Sequence, residues 1–351
     1  MKVLIVTGGL LTEKETSLWH AVRKLALQWS AADQAWLDLK VKLVLAEPLL
    51  AARLRGFPAV APVETPELTE VVLSTLLHRE GIPFEVATYS DLFTAPRRVE
   101  RQLAEASCVL ASTTYLRDLS EAEPLVARLK RPHNRVVLGG PLAAVLDEVA
   151  GADLLAAGYG EYLVPALARW IRSGFTVLEP PAGGSLIGRK MWSGVPPTHD
   201  LDALPTPDWT LAERIHGRRF SMIYYESVRG CPYRCNFCNY PYLFADSRFR
   251  YKSAVRMAAE WRHYASTLRL DYITCLDSLF TMPRARLHDF CRALIDEGPR
   301  VKWICYARAD DLADEAIARL MKEAGVHQVQ IGLESGDPGQ LDNMDKACTV
   351  E

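Results

Sequence analysis

Three cysteines, Cys231, Cys235 and Cys238, stand in the segment Ser227-Val-Arg-Gly-Cys-Pro-Tyr-Arg-Cys-Asn-Phe-Cys-Asn-Tyr-Pro241, directly after the apolar run Met222 to Tyr225. A C-x3-C-x2-C loop in that position constrains the fold, because any metal centre it builds must sit where a strand ends. Soft thiolates suit iron and sulfide, so three of them on one short loop can bind three irons of a four-iron, four-sulfur cluster. The fourth iron then takes no protein ligand from this loop and is open to an outside molecule. Structural zinc sites instead pair two C-x2-C or Cys/His units, and no second pair lies nearby. Disulfides are not expected either. The chain opens Met-Lys-Val-Leu-Ile-Val-Thr-Gly-Gly, without the apolar core and cleavage site of a signal peptide, so a reducing cytoplasm is the expected location.

With 351 residues, 49% of them hydrophobic, the chain has apolar material for two domains. Its formal net charge of -2 gives no sign of a nucleic-acid or membrane surface. Apolar stretches such as 43–54 are interrupted by Glu47, Pro48 and Arg53, so no membrane span is expected. Up to about Gly174, strand-like runs at 2–7, 84–88, 108–112, 136–138 and 153–156 alternate with helical patterns at 67–79, 121–130 and 161–172. That alternation predicts a doubly wound parallel sheet over 1–175. Residues 28–63 receive no assignment. Prolines and glycines crowd 176–216, which reads as a linker. From 217 to 351 a second series of βα units follows: strands at 222–227, 272–276, 301–306 and 328–333, with helices at 254–268, 284–297 and 314–324.

Placed after the first strand of such a series, the CxxxCxxC loop resembles that of the radical S-adenosylmethionine (SAM) superfamily, and Phe237 matches the aromatic residue common before the third cysteine. The resemblance implies a βα barrel, a 4Fe-4S cluster on the three cysteines, SAM bound through its amino and carboxylate groups at the unique iron, and reductive cleavage of SAM to methionine and a 5'-deoxyadenosyl radical. The run Val136-Val-Leu-Gly-Gly-Pro141, followed by Gly151-Ala-Asp-Leu-Leu-Ala-Ala-Gly-Tyr-Gly-Glu161, is similar to the cobalamin-binding domain placed before many radical SAM barrels. In open parallel sheets the ligand lies beyond the carboxyl ends of the strands. Ser112, Thr113, Gly139, Gly140, Gly158, Gly160 and Glu161 are therefore the candidate cobalamin contacts. The same loops also need glycine simply to turn into helices. The D-x-H-x-x-G motif that supplies a cobalt ligand in the methionine synthase type is absent, and His78 and His133 read as solvent-facing ends of helices or loops.

In the barrel, the strand ends offer Asp277 and Ser278, Arg308, then Glu334 and Ser335 as SAM contacts together with Phe237. Arg308 suits the SAM carboxylate in a charge-assisted pair. Asp277, Ser278 and Asp310 are equally able to cap the segments that follow. Cys275, Cys291 and Cys305 fall in apolar patterns and read as small buried hydrophobes. A complete barrel of this superfamily has about six βα units and this sequence offers about four, so a fragment of a longer enzyme is expected. The functional expectation is a class B radical SAM methyltransferase acting on an unactivated carbon. It would work with a small-molecule or peptide substrate and an electron donor such as flavodoxin or ferredoxin. The alternatives are a radical SAM enzyme without cobalamin and a non-catalytic iron-sulfur protein.

Overall fold

Every residue of Val3–Thr7 (β1) is buried, as a strand covered by helices on both faces must be. The computed structural model describes residues 1–8, 65–89, 91–116, 118–194, 200–240 and 247–350, so the unassigned stretch 28–63 lies outside the described residues. Around β1 the chain adds Leu68–Arg79 (α1), Phe84–Thr88 (β2), Asp91–Thr94 (α2), Pro96–Glu105 (α3), Cys108–Ser112 (β3), Leu119–Leu129 (α4) and Arg135–Gly139 (β4). Pro141–Val145 (α5), Leu154–Ala157 (β5), Gly160–Arg172 (α6), Ser185–Ile187 (β6) and Lys190–Trp192 (β7) complete the first unit, Met1–Gly194. The sheet order is β2-β1-β3-β4-β5-β7-β6, parallel except for the β6/β7 pair. Alternation along β1 divides the core in two. Val3 and Ile5 pack with Leu77 of α1 and Leu167 of α6, while Leu4 and Val6 pack with Leu103 of α3 and Leu125 of α4. Strand order reverses between β1 and β3, which makes the carboxyl ends of those strands the crevice of the sheet.

Among the described residues, the stretch 176–216 includes regular elements. Its first half forms a hairpin on the sheet edge, turning at Gly188 with φ +57, and a Cβ on Gly194 would stand 2.0 Å from the Gly183 oxygen. Its second half carries Trp209–His216 (α7), capped by the Asp208 carboxylate on the Leu211 N–H (2.8 Å) and ended by left-handed Gly217. The two compact units divide between Gly194 and Val195.

In the second unit, Met222–Tyr225 (β8) leads into a two-stranded ribbon, Val228–Arg229 (β9) with Arg250–Tyr251 (β10). Ala254–Thr267 (α8), Tyr272–Cys275 (β11), Arg284–Glu297 (α9), Lys302–Arg308 (β12), Glu315–Glu323 (α10), Val326–Gly332 (β13) and Pro338–Asn343 (α11) follow. The four long strands are all parallel and stand in chain order, β8-β11-β12-β13. Ile223, Tyr225, Ile273, Cys275, Trp303 and Cys305 are buried, and Trp261 of α8 meets Phe290 at 4.9 Å and Trp303 at 6.0 Å between ring centroids. Tyr224, Thr274, Ile304 and Tyr306 alternate with them on the opposite, half-buried face.

Candidate functional site

The loop bearing the three cysteines hangs from the β9/β10 ribbon, and the ribbon is fixed at its base. Asp277, just past β11, is wholly buried and accepts from the Ser227 N–H (2.6 Å), the Val228 N–H (2.8 Å) and the Ser227 hydroxyl (2.5 Å). Arg286 of α9 reaches Ser227 O and Oγ at 3.4 and 3.3 Å and donates to Phe280 O at 2.5 Å. Gly230, with φ +74, enters the loop where a Cβ would lie 2.1 Å from Arg248 O, so no side chain fits immediately before Cys231.

Within the loop, Cys235 is buried and Cys231 and Cys238 are half-buried. Burial pushes the Cys231 thiol up against an opposing hydrogen bond from the Tyr233 backbone, and Cys238 and Cys235 push it further, so the three sulfurs feel one another. Among the described residues no group of His, Cys, Asp or Glu converges as ligands of a single metal ion. Three thiols on one loop are the soft donor set that iron and sulfide take. The 4Fe-4S expectation therefore fits this loop. Elsewhere burial raises the Cys108 and Cys291 thiols to about 12 and drives Cys275 and Cys305 upward too; for Cys275, Cys291 and Cys305 this agrees with their reading as small buried hydrophobes.

The segment after α11 lies along the same loop. Asn236 donates its backbone N–H to Met344 O (3.0 Å) and its side-chain amide to Asn343 O. Arg308 lies over the Tyr233 ring at 3.8 Å, donates to Lys346 O and Ala347 O at 2.7 and 2.9 Å, and pairs with Asp310 at 3.0 Å. Lys346 bonds Glu334 at 3.1 Å and stands 5.8 Å from the centre of the half-exposed Phe237 ring.

These contacts revise the expected roles of the strand-end residues. Asp277 is not available to a SAM amino group, because both its oxygens are committed to the ribbon. Arg308 donates through Nε to Asp310 and through one Nη to the Lys346 and Ala347 carbonyls, and so braces the segment 346–347 against the loop. Phe237, Ser278, Glu334 and Ser335 remain at the strand ends. Ser278 is half-buried beside Asp277, Glu334 is held at φ +64, and the Ser335 hydroxyl accepts from the Asp337 N–H at 3.0 Å. Ser227, Tyr233, Asn236 and Arg286 were not singled out by sequence. Their importance arises from partners 50 to 107 positions away, which no local pattern records.

Burial raises the Asp277 carboxyl to about 6, against hydrogen bonds from Ser227 and the charge of Arg286. A group that holds its proton more tightly in the folded chain favours folding as pH falls, so this contribution declines as pH rises from about 4 through 6. Between pH 5 and pH 7 it changes by about 1 kcal/mol, and the thermal midpoint of the wild type relative to Asp277→Asn is expected to fall accordingly. Equal shifts of both midpoints over that interval would contradict it.

At the sheet of the first unit, several expected cobalamin contacts serve the loops themselves. Thr113 donates to Gly139 O (2.8 Å) and accepts from the Ala143 N–H (3.2 Å), and a Cβ on Gly140 would reach 3.0 Å from its hydroxyl. Gly158 leaves room for Ser193, whose hydroxyl would lie 2.1 Å from an added Cβ and accepts from the Tyr159 N–H at 3.1 Å. Ser112 and Thr114 share a hydroxyl hydrogen bond of 2.8 Å. Gly139, Gly160 and Glu161 are half-buried at the mouth of these strands. Among the described residues no imidazole stands at the carboxyl ends of this sheet. His133 bonds Leu103 O at 3.2 Å and His78 ends α1.

The family model described as the radical SAM superfamily matches residues 225–351. A methyltransferase of Pyrococcus horikoshii, described as uncharacterised, is 26% identical over 286 residues, covering 76% of this chain and 59% of its own. Anaerobic magnesium-protoporphyrin IX monomethyl ester cyclase of Rubrivivax gelatinosus is 26% identical over 242 residues, covering 64% of this chain and 43% of its own. Among solved structures, the cobalamin-dependent SAM radical enzyme OxsB with aqua-cobalamin and SAM bound gives a TM-score of 0.61 at 17% identity, over 99% of this chain and 46% of that one. That likeness is one of fold. The chain spans about half the length of the proteins it matches. Among the described residues no helix is long and apolar enough to cross a membrane.

Proposed function

We propose, from the premise that residues 225–351 are a radical SAM domain, that this protein is a cobalamin-dependent radical SAM enzyme that methylates an unactivated carbon. The observation that carries the reading is the C-x3-C-x2-C loop following β8 in a parallel sheet, in a chain that also carries a doubly wound sheet and matches the fold of a cobalamin-dependent enzyme. Cys231, Cys235 and Cys238 would hold the 4Fe-4S cluster. Ser112, the loop peptides at Gly139 and Gly160, and Glu161 would border the cobalamin. When bound, the cluster supplies the electron that splits SAM and cobalamin supplies methyl-transfer chemistry.

The residues of this chain do the holding. Asp277 and Arg286 fix the ribbon, Arg308 and Asn236 tie the cysteine loop to the segment 343–347, and Phe237, Ser278, Glu334 and Ser335 border the space above β8 to β13 as candidate SAM contacts. Fixed geometry matters because misplacement by about 1 Å in such a site can cost on the order of 100-fold in rate. A small-molecule or peptide substrate and a reducing partner such as flavodoxin or ferredoxin belong to the same proposal.

The test is one anaerobic, reconstituted preparation analysed for iron, sulfide and cobalt, then incubated with SAM and a reductant. Four irons per chain, retained cobalt after gel filtration and formation of 5'-deoxyadenosine are expected. Zinc, or an intact cluster that yields no 5'-deoxyadenosine, would overturn the reading. Because the Rubrivivax cyclase matches at the same identity as the methyltransferase, ring formation is the second reading. Label from methyl-labelled SAM in the product separates the two.

A further inference from the structure

We propose that Asp277 is a positioning residue for the reductive cleavage of SAM: its carboxylate, backed by Arg286, sets the register at which the cysteine ribbon leaves the sheet. The inference rests on the radical SAM reading and deepens it. The chain leaves β8 at Tyr225, and the next two peptide N–H groups but one, those of Ser227 and Val228, both point at a single oxygen of Asp277 (2.6 and 2.8 Å). The second oxygen takes the Ser227 hydroxyl at 2.5 Å. An ionised carboxylate can accept all three; an amide has one acceptor oxygen, so in Asp277→Asn the Ser227 hydroxyl would lose its acceptor and have to turn to accept from the new N–H.

Arg286 joins the two strands of the ribbon to this point. It reaches Ser227 on one side, and its guanidinium carbon lies 5.4 Å from the ring centre of Tyr251 on the other. The Lys252 N–H donates to Ser227 O at 2.8 Å, closing the ribbon from its far strand. Only Arg229 and Gly230 separate this anchor from Cys231. Among the described residues Arg286 forms no ion pair with Asp277; it meets the same Ser227 and acts on the carboxylate through its charge, and burying two such charges is a weak source of stability. What it supplies is a fixed orientation of the peptide planes at the root of the loop.

The test uses the full chain, anaerobically reconstituted, as wild type, Asp277→Asn and Ser227→Ala. Folding is read by circular dichroism, cluster content by iron and sulfide, and geometry by the electron paramagnetic resonance of the reduced cluster with and without SAM. Both variants are expected to fold and to keep their iron. Asp277→Asn should show altered cluster g-values, lose the spectral change on SAM addition, and form 5'-deoxyadenosine about 100-fold more slowly per cluster. Ser227→Ala, which removes one bond of three, should lose about tenfold on the same scale. A folded Asp277→Asn with wild-type spectra and rate per cluster overturns the proposal. If that variant does not fold, a folded Ser227→Ala with wild-type values overturns it instead. Should the wild type carry a cluster but yield no 5'-deoxyadenosine, the enzymatic reading fails by itself, and the g-values of the variants still decide whether Asp277 positions the cluster.

Discussion

Replacing any one of Cys231, Cys235 or Cys238 by serine is expected to strip the cluster and to reduce 5'-deoxyadenosine formation by roughly 1,000-fold or more, equivalent to about 4 kcal/mol of barrier. The three sulfurs lie on one loop, interact electrically and have no fourth cysteine of the motif to take over. Hydroxyl oxygen is a poor substitute for thiolate toward iron and sulfide. Cys108→Ala is the fitting control. That thiol is buried in the sheet of the first unit and held protonated by desolvation, so iron content and rate should stay at wild-type levels. Measurement of iron, sulfide and product per chain checks both. A serine variant with full iron would place the metal elsewhere.

The second large effect concerns stability. Glu260 on α8 is buried, and its carboxylate accepts from the Tyr225 hydroxyl (2.5 Å), Lys252 (2.8 Å), Arg256 (2.9 Å) and Thr206 (3.1 Å). Arg256 donates onward to Leu204 O at 3.0 Å and to Thr206 at 2.6 Å. One carboxylate thus joins β8, the end of the ribbon, α8 and the proline-rich approach to α7. Glu260→Ala leaves the buried ammonium of Lys252 without its partner, and breaking a buried pair in that way costs about 3–5 kcal/mol. Glu260→Gln keeps shape and part of the bonding and should lose less. Urea unfolding followed by fluorescence reads the difference, and an unchanged midpoint in the alanine variant would count against the network.

Much of this fold was legible because alternation is written into short stretches. The runs 84–88 and 108–112 and the helix 284–297 have the bounds read from sequence, since apolar spacing and flanking breakers are local signals. No element is read over Pro96–Glu105 from the sequence, and the 185–192 hairpin falls in the stretch read as a linker from its prolines and glycines, whereas Pro96 begins a helix and Gly188 makes a turn. The cysteine loop was legible for a different reason: metal ligands must recur at fixed spacing. Asp277 and Arg308 were found at the correct strand ends yet given an outward role. Their actual partners, Ser227 and the 346–347 carbonyls, come from segments 38 to 50 positions distant. Gly140 and Gly158 likewise make room for Thr113 and Ser193, side chains from distant segments.

The strand order of the second unit carries a consequence for assembly. Because β8, β11, β12 and β13 are neighbours in the same order in which the ribosome makes them, each newly synthesised βα pair finds its template already exposed, and loop closures stay short. The first unit has no such convenience: β1, made first, must wait for both β2 and β3 before its two edges are occupied. The second unit can therefore grow strand by strand in chain order, while the first closes around a strand made before either of its neighbours.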